Sequence, residues 1–223
     1  MSNSDDDAKL EELAESLRAS ADTPEAKAFV EDAIARIERS PAYYAALGQF
    51  VSSFSRVETT LQYALWAAAR VHRPLGPAIF SGYKIEGCLQ LMKRIADAKD
   101  WEPSQKEMLE EITNRLGPLN RLRNDILHFG TSIDFNAEDS WFWSNRDFVH
   151  IPEKIREFSI TPAVLDDASS DLSKLFGLII LLSVTDLAGS ERGASIRPLL
   201  DPLLARAWLY KPPQPAVKAG KNQ

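Results

Sequence analysis

The sequence predicts a mainly α-helical bundle into which one small β-hairpin is inserted, and three observations predict it. Apolar residues recur at spacings of three and four through most of the chain, which is the helical period. Proline and glycine punctuate those stretches where helices start and stop. Between residues 131 and 160 the pattern changes to aromatics set among Asn, Asp and Ser, as short strands and their turns require.

With 223 residues, 44% of them hydrophobic, the chain can bury a sizeable core and reads as one domain with extensions. Residues 1–40 form an N-terminal helical extension, residues 41–190 the bundle with its insert at about 131–160, and residues 191–223 a C-terminal helical segment and tail. A net charge of −6 excludes a protein whose whole surface tracks nucleic acid, because such binding draws its free energy from neutralising phosphates. Any contact with RNA is therefore local. The longest apolar run, Leu175 to Val184, is far short of the roughly 20 residues of a membrane span. The acidic opening Met1-Ser2-Asn3-Ser4-Asp5-Asp6-Asp7 lacks an apolar segment and does not read as a secretory signal. A single cysteine, Cys88, leaves no internal disulfide or thiolate metal site and fits a reducing cytoplasm. With no Gly-rich phosphate loop and no His or acidic cluster at ligand spacing, neither cofactor nor metal is expected.

Residues 1–22 are acidic and rich in Ala and Glu, with Leu10, Leu13 and Leu17 at helical spacing, so they predict a short amphipathic arm to which a protein partner can dock. Thr23-Pro24-Glu25 supplies an N-cap followed by proline in the first turn, opening a helix to about Arg39 with Phe29, Ala33 and Ile37 on one side. Ser40-Pro41 is read as its end. From Tyr43 to about His72, residues Leu47, Phe50, Val51, Phe54, Val57, Leu61, Ala64, Leu65 and Ala68 make a stripe broad enough for the centre of a bundle. Glu58 interrupts it, four residues after Phe54 and three before Leu61. An unpaired carboxylate there is costly, so a partner is expected, and Arg123 is the one chosen. Another cation, or a carboxylate reaching out to the wet edge, satisfies the same argument. His72, at the helix end, suits the dipole as a cap.

Arg73-Pro74-Leu75-Gly76-Pro77 reads as a turn, and Ile85, Cys88, Leu89, Met92, Ile95 and Ala96 define the next helix, with Cys88 in the core. Ser104 caps a helix with Leu109, Ile112 and Leu116 inward, and Gly117-Pro118 kinks or restarts it. Its final turns are Leu119-Asn120-Arg121-Leu122-Arg123-Asn124-Asp125-Ile126-Leu127-His128-Phe129-Gly130, in which Leu119, Leu122, Ile126 and Phe129 keep the period and Gly130 stands at the C-terminal cap. Arg123 falls on the rim of that stripe, while Asn124 and His128, four apart, share the adjoining face.

The insert holds Ile133, Phe135, Trp141, Phe142, Trp143, Phe148, Ile151, Phe158 and Ile160, with Asn145-Arg146-Asp147 as a turn and His150 on the hairpin surface. Trp141 or Trp143 offers a platform on which a base can stack, and packing over the open end of the bundle is the other use of such rings. Arg115, Arg121, Arg123 and Arg146, with Lys93 and Arg94, are the candidate basic patch, and the same charges also fit a solvated helix face. Thr161-Pro162 caps a helix to about Leu187 through Leu165, Leu172, Leu175, Phe176, Ile179, Ile180 and Leu182. Being apolar nearly all round in its second half, it is central in the bundle or buried between subunits. Ser190 to Ser195 reads as a loop, Ile196 to Leu209 as a segment broken by Pro198 and Pro202, and the Pro- and Lys-rich tail after Tyr210 as disordered.

Arg123-Asn124-Asp125-Ile126-Leu127-His128, late in a helix of a helical domain, resembles the motif of the HEPN (higher eukaryotes and prokaryotes nucleotide-binding) superfamily. Phe54-Ser55-Arg56-Val57-Glu58-Thr59-Thr60-Leu61, with its inward acid, is similar to the first core helix of many members, and the resemblance covers residues 43 to 190. It implies a ribonuclease of the defence or toxin kind that cuts single-stranded RNA without a metal, as a homodimer with two motifs facing one cleft, leaving a 2′,3′-cyclic phosphate. On that resemblance His128 is general base or acid, Arg123 grips the scissile phosphate and Asn124 orients one of them, with Asp125 and Glu58 in support and Arg121, Arg146 and Trp143 contacting RNA. These residue types suit the chemistry, since imidazole and guanidinium supply proton transfer and phosphate charge near neutral pH. Toxin-type relatives carry a Tyr two residues after the His, the target of nucleotide transfer by a partner. Gly130 stands there instead, so that regulation is not expected. Many relatives bind without cutting, and a fold does not establish a function. The alternative is a non-catalytic module that binds RNA, nucleotide or protein, in which Arg123 is tied to Glu58 and His128 is simply favoured by the helix end.

Overall fold

The computed structural model describes the backbone of residues 4–72, 74–133, 141–149, 151 and 154–212, with side chains over that set except 4–10, 36–39, 133 and 185–204. The expectations for Arg73, Phe135, His150 and the tail from residue 213 lie outside it. The chain is mainly α, with a small antiparallel sheet between its last two helices. Its helices are α1 (Ser4–Ser20), α2 (Pro24–Ala68), α3 (Gly76–Phe80), α4 (Ile85–Ala98), α5 (Pro103–Phe129) and α6 (Pro162–Leu204).

Thr23 caps α2 as its sequence position predicts, its Oγ1 accepting the Ala26 N–H at 3.1 Å with Pro24 in the first turn. The helix does not end at Ser40-Pro41. It runs 45 residues to Ala68, roughly 68 Å at the α-helical rise. Pro41 is exposed, so the carbonyl that loses its amide partner there can be hydrated. The N-terminal half of α2 is accompanied by α1, to which it is tied by Arg18 Nε donating to Glu31 Oε1 at 2.9 Å. From Tyr43 onward the predicted stripe is buried, with Phe50, Phe54, Val57, Leu61, Leu65 and Ala68 in one core with Leu109, Ile112, Leu116, Leu165, Leu172, Leu175 and Ile179. The end of α2 is capped by its own backbone and not by His72. Arg70 takes a left-handed conformation (φ 55°), Val71 N–H donates to Trp66 O and Arg70 N–H to Ala67 O, a Schellman closure.

Where a turn is expected after residue 73, the short helix α3 forms. Helix α4 follows the predicted bounds and buries Cys88, Leu89 and Met92. Helix α5 starts two residues earlier than its Ser104 cap implies. Glu102 is the N-cap, and its amide donates to Gln105 Oε1 at 3.0 Å in a reciprocal capping box. Pro118 neither restarts nor ends α5, which is one helix of 27 residues. Its missing N–H frees only the carbonyl of Asn114, an exposed residue.

Beyond Gly130 the expected hairpin forms as part of a small antiparallel sheet of three strands, in the order β1 (Ser132–Ile133), β2 (Trp141–Ser144), β3 (Glu157–Ile160). The register Trp141↔Ile160 and Trp143↔Phe158 puts both tryptophans on the buried face, because side chains alternate along a strand. Trp141 stacks on Tyr43 of α2 at 4.0 Å, and the Tyr43 hydroxyl meets Thr131 Oγ1 at 2.8 Å. The sheet therefore closes the end of the bundle at the point where α5 stops.

Thr161 caps α6, accepting the Val164 N–H at 3.3 Å, and α6 packs along α2 as the central pair of the bundle. Its apolar second half is accordingly inside: Leu178, Ile179, Leu181 and Leu182 are buried. The helix does not stop near Leu187. It continues through Ser190–Ser195, Pro198 and Pro202 to Leu204, since Glu191, Arg192, Ala194, Leu199 and Leu200 favour helix and each proline removes only its own amide bond. Residues 207–212 are not helical, so the expected segment to Leu209 ends at Leu204. They turn back across the bundle instead. Asp171 accepts the Leu209 and Tyr210 N–H groups at 3.0 and 2.9 Å, and Trp208 lies between Lys174 Nζ, 3.9 Å from its ring, and the Arg115 guanidinium at 5.0 Å. Lys174 also donates to the Arg206 carbonyl. Among the described residues no helix is long and apolar enough to cross a membrane.

Candidate functional site

The last turns of α5 carry the candidate site. Leu119, Leu122 and Ile126 are buried and Phe129 half-buried, so the apolar stripe read from sequence is the packed face. Gly130 ends the helix at φ 72°, ψ −176°, a region essentially confined to glycine and different from the left-handed helical cap expected. Its amide still donates to Ile126 O at 2.9 Å.

The acid that α5 buries is Asp125. Its carboxylate receives both arms of Arg156, Nη1 to Oδ2 at 3.0 Å and Nη2 to Oδ1 at 2.8 Å. Its backbone carbonyl accepts the Trp143 indole N–H at 2.6 Å, and the Arg156 guanidinium lies over the Trp143 ring at 5.3 Å. Burial raises the Asp125 carboxyl pKa, and the Arg156 hydrogen bond and charge, with the charges of Arg121 and His128, pull against that push. Asn145, itself buried, holds Arg156 in place. Its Oδ1 accepts the Arg156 N–H at 2.7 Å, its Nδ2 donates to Lys154 O at 3.2 Å and its N–H to Arg156 O at 3.3 Å. A loop of the sheet is thereby fastened to the motif helix.

Arg123 and Glu58 do not form the expected ion pair. The Arg123 guanidinium lies over the Phe54 ring at 5.6 Å and donates through Nη1 to Asn124 Oδ1 at 2.9 Å. Phe54 is four residues from Glu58, about 6 Å along α2. Glu58 is half-buried and its charge faces α4, where it adds to the upward push that burial gives the Cys88 thiol. The inward acid that needs a guanidinium is thus on α5, and its partner comes from the sheet.

Five positions on one helix set Arg123 and His128 about 140° apart in azimuth and about 7.5 Å apart along the axis. They share a face only through Asn124, which is about 40° from His128 and accepts the Arg123 hydrogen bond. His128 is exposed, edge-on to Phe129 at 6.4 Å. Arg121, seven positions before it, is also exposed, and its charge reaches Asp125 and Tyr210. Arg121, Asn124 and His128 therefore form one open polar strip on α5.

Two predicted RNA contacts are placed otherwise. Trp143 is fully buried, stacked on Phe158 at 4.7 Å and edge-on to Phe129 at 5.5 Å, so neither of its faces is open to a base. It serves the packing role instead. Arg146 is exposed but bound to Glu157, with Nε and Nη2 each 2.8 Å from Oε1. That contact raises the Arg146 pKa and lowers that of Glu157. Arg115 is likewise paired, with Glu111 at 3.1 Å. An acidic cleft lined by Asp100, Glu102, Lys106, Glu107 and Glu110 lies at the other end of α5, its nearest residue, Glu110, roughly 27 Å along the axis from His128, and takes no part in the strip. No family model, curated protein or solved structure matches the chain.

Arg156 and Asn145 are the positioning residues that sequence reading missed. Asn145 was visible as a turn residue, but no spacing rule links Asp125 to a cation 31 positions away across a sheet.

Proposed function

We propose that the chain is a metal-independent endoribonuclease of the HEPN kind, acting on single-stranded RNA in the cytoplasm with two copies joined across the motif face. The observation that carries the proposal is the exposed His128 imidazole, one turn beyond an Asn124 whose carbonyl oxygen holds the Arg123 guanidinium. Imidazole takes and gives protons near neutral pH, and a guanidinium with one arm fixed keeps other donors for phosphate oxygens. In the reaction proposed, His128 removes the proton of a ribose 2′-hydroxyl and the 2′-oxygen attacks the adjacent phosphorus. The bond to the 5′-oxygen breaks, and that oxygen takes a proton from the imidazole of the second copy. The products are a 2′,3′-cyclic phosphate and a 5′-hydroxyl. Arg123 stabilises the charge that gathers on the phosphate oxygens.

The residue before His128 is an exposed apolar one, Leu127 at 49%, which supports the pairing of copies. Labelled single-stranded RNA incubated in chelator with wild type, Arg123→Ala and His128→Ala tests the reading. Cleavage by the wild type to cyclic-phosphate ends, reduced by each substitution, is expected. Equal cleavage by all three proteins sinks the reading.

A second reading is a non-catalytic module that binds RNA, nucleotide or another protein. It is favoured by the Arg123 guanidinium lying over Phe54, where packing already accounts for it, and by exposed Leu13 and Leu17 on the N-terminal arm. Binding of RNA without new ends is its signature.

A further inference from the structure

We infer that Phe148 is the base-stacking platform of the site, so that its ligand is an unstacked nucleobase of single-stranded RNA. This rests on the functional reading above and deepens it. Phe148 ends the 3₁₀ turn Arg146–Phe148 and is 63% exposed. Its ring packs on Phe129 at 5.3 Å, and Phe129 in turn meets the His128 ring at 6.4 Å. The platform and the imidazole therefore flank a single intervening ring.

The turn that presents Phe148 is fastened at both sides. The Phe148 N–H donates to Asn145 O at 3.0 Å, the Arg146 N–H donates to Ser144 Oγ at 3.1 Å, and the Arg146 side chain is paired with Glu157. Such a ring costs little entropy to use, because it is held before the ligand arrives. Every base has a π-face, so stacking tolerates sequence while the phosphates meet Arg121 and Arg123. In duplex RNA those faces are covered, and the platform finds nothing to stack on. Phe148 thus takes the role that buried Trp143 cannot.

The test measures equilibrium binding of a labelled single-stranded oligoribonucleotide to the cleavage-deficient His128→Ala protein, alone and with Phe148→Ala or Phe148→Trp added. Phe148→Ala is expected to weaken binding about tenfold and Phe148→Trp to restore it. Duplex RNA and an abasic ribose-phosphate oligomer, which keep the charge and offer no free base, should bind all three proteins alike. Thermal melting of the exposed-site variants should match the parent. Undiminished single-strand binding by Phe148→Ala overturns the platform and leaves the nuclease reading standing. Absence of RNA binding by every form, the wild type included, removes the functional reading and the platform with it. A Phe148→Ala protein that changes its sedimentation while keeping its RNA affinity shows that the ring belongs to a protein interface, and likewise overturns the proposal.

Discussion

Replacing Arg156 with Ala should destabilise the protein far more than replacing the acid it holds. Asp125 has a side chain only 7% exposed, whereas that of Arg156 is 42% exposed. Removing the cation strands a buried carboxylate, a loss of about 3–5 kcal/mol when both partners are buried. Because Arg156 is partly solvated, its attraction is screened and the expected loss falls to about 2–3 kcal/mol. For a chain of this length that corresponds to a melting point lowered by roughly 5–10 °C. Asp125→Asn, by contrast, keeps an acceptor for Arg156 and removes the charge whose burial is costly, so it should change stability by less than about 1 kcal/mol.

The pH dependence carries a sign. Burial raises the folded Asp125 pKa above its ordinary 3.8, so the folded state holds this proton more tightly than the unfolded state. Its contribution to stability is full below 3.8 and is lost as pH rises through the folded value. Without Arg156 that value climbs further, so the penalty of Arg156→Ala should shrink as pH falls from neutral towards 4. Urea unfolding followed by circular dichroism at several pH values, with the Asp125→Asn/Arg156→Ala double variant completing the cycle, measures it. Arg156→Ala as stable as wild type at pH 7, or a penalty that grows on acidification, would refute the account of the pair.

Tyr210 should resist ionisation until about pH 12, where burial, reinforced by the Asp125 charge and opposed by Arg121, has pushed it. A raised folded pKa means that stability is full below pH 10 and is lost as pH rises towards 12, by about 2–3 kcal/mol. Ultraviolet titration of Asp171→Ala, which loses the acceptor of the Leu209 and Tyr210 amides, should show this tyrosine returning towards 10. An unchanged titration would mean that the C-terminal segment is held by something else. Gly130→Ala should cost about 1–3 kcal/mol because its φ of 72° with extended ψ is strained for any side chain. Chemical denaturation checks it, and a neutral result would show that the chain leaves α5 by another path.

Local chemistry was legible where a short stretch decides the outcome. The stripe Phe50, Phe54, Val57, Leu61 and Leu65 is buried as its period implies, and Thr23 and Thr161 cap α2 and α6 from the positions where they stand. Prolines misled for a physical reason. Pro41, Pro198 and Pro202 each lie inside a continuous helix, because each removes only one backbone hydrogen bond from a long ladder. Glu58 and Trp143 differ from expectation for another reason: a one-dimensional period says that a residue faces inward, and is silent on which partner waits there.

By itself the sequence determined the helical class, the Thr23 and Thr161 caps, the apolar faces and the placing of Arg123, Asn124 and His128 within two turns of one helix, since each of these follows from contacts a few residues apart. Only the tertiary structure decided that Asp125 rather than Glu58 is the buried acid, that Arg156 answers it from a sheet loop, that Trp143 is core and that Phe148 is an exposed ring packed on Phe129. Those outcomes depend on pairs far apart in the chain, such as Trp143 with Asp125 and Trp141 with Tyr43. Burial and charge complementarity select such pairs only after the sheet has closed the end of the bundle.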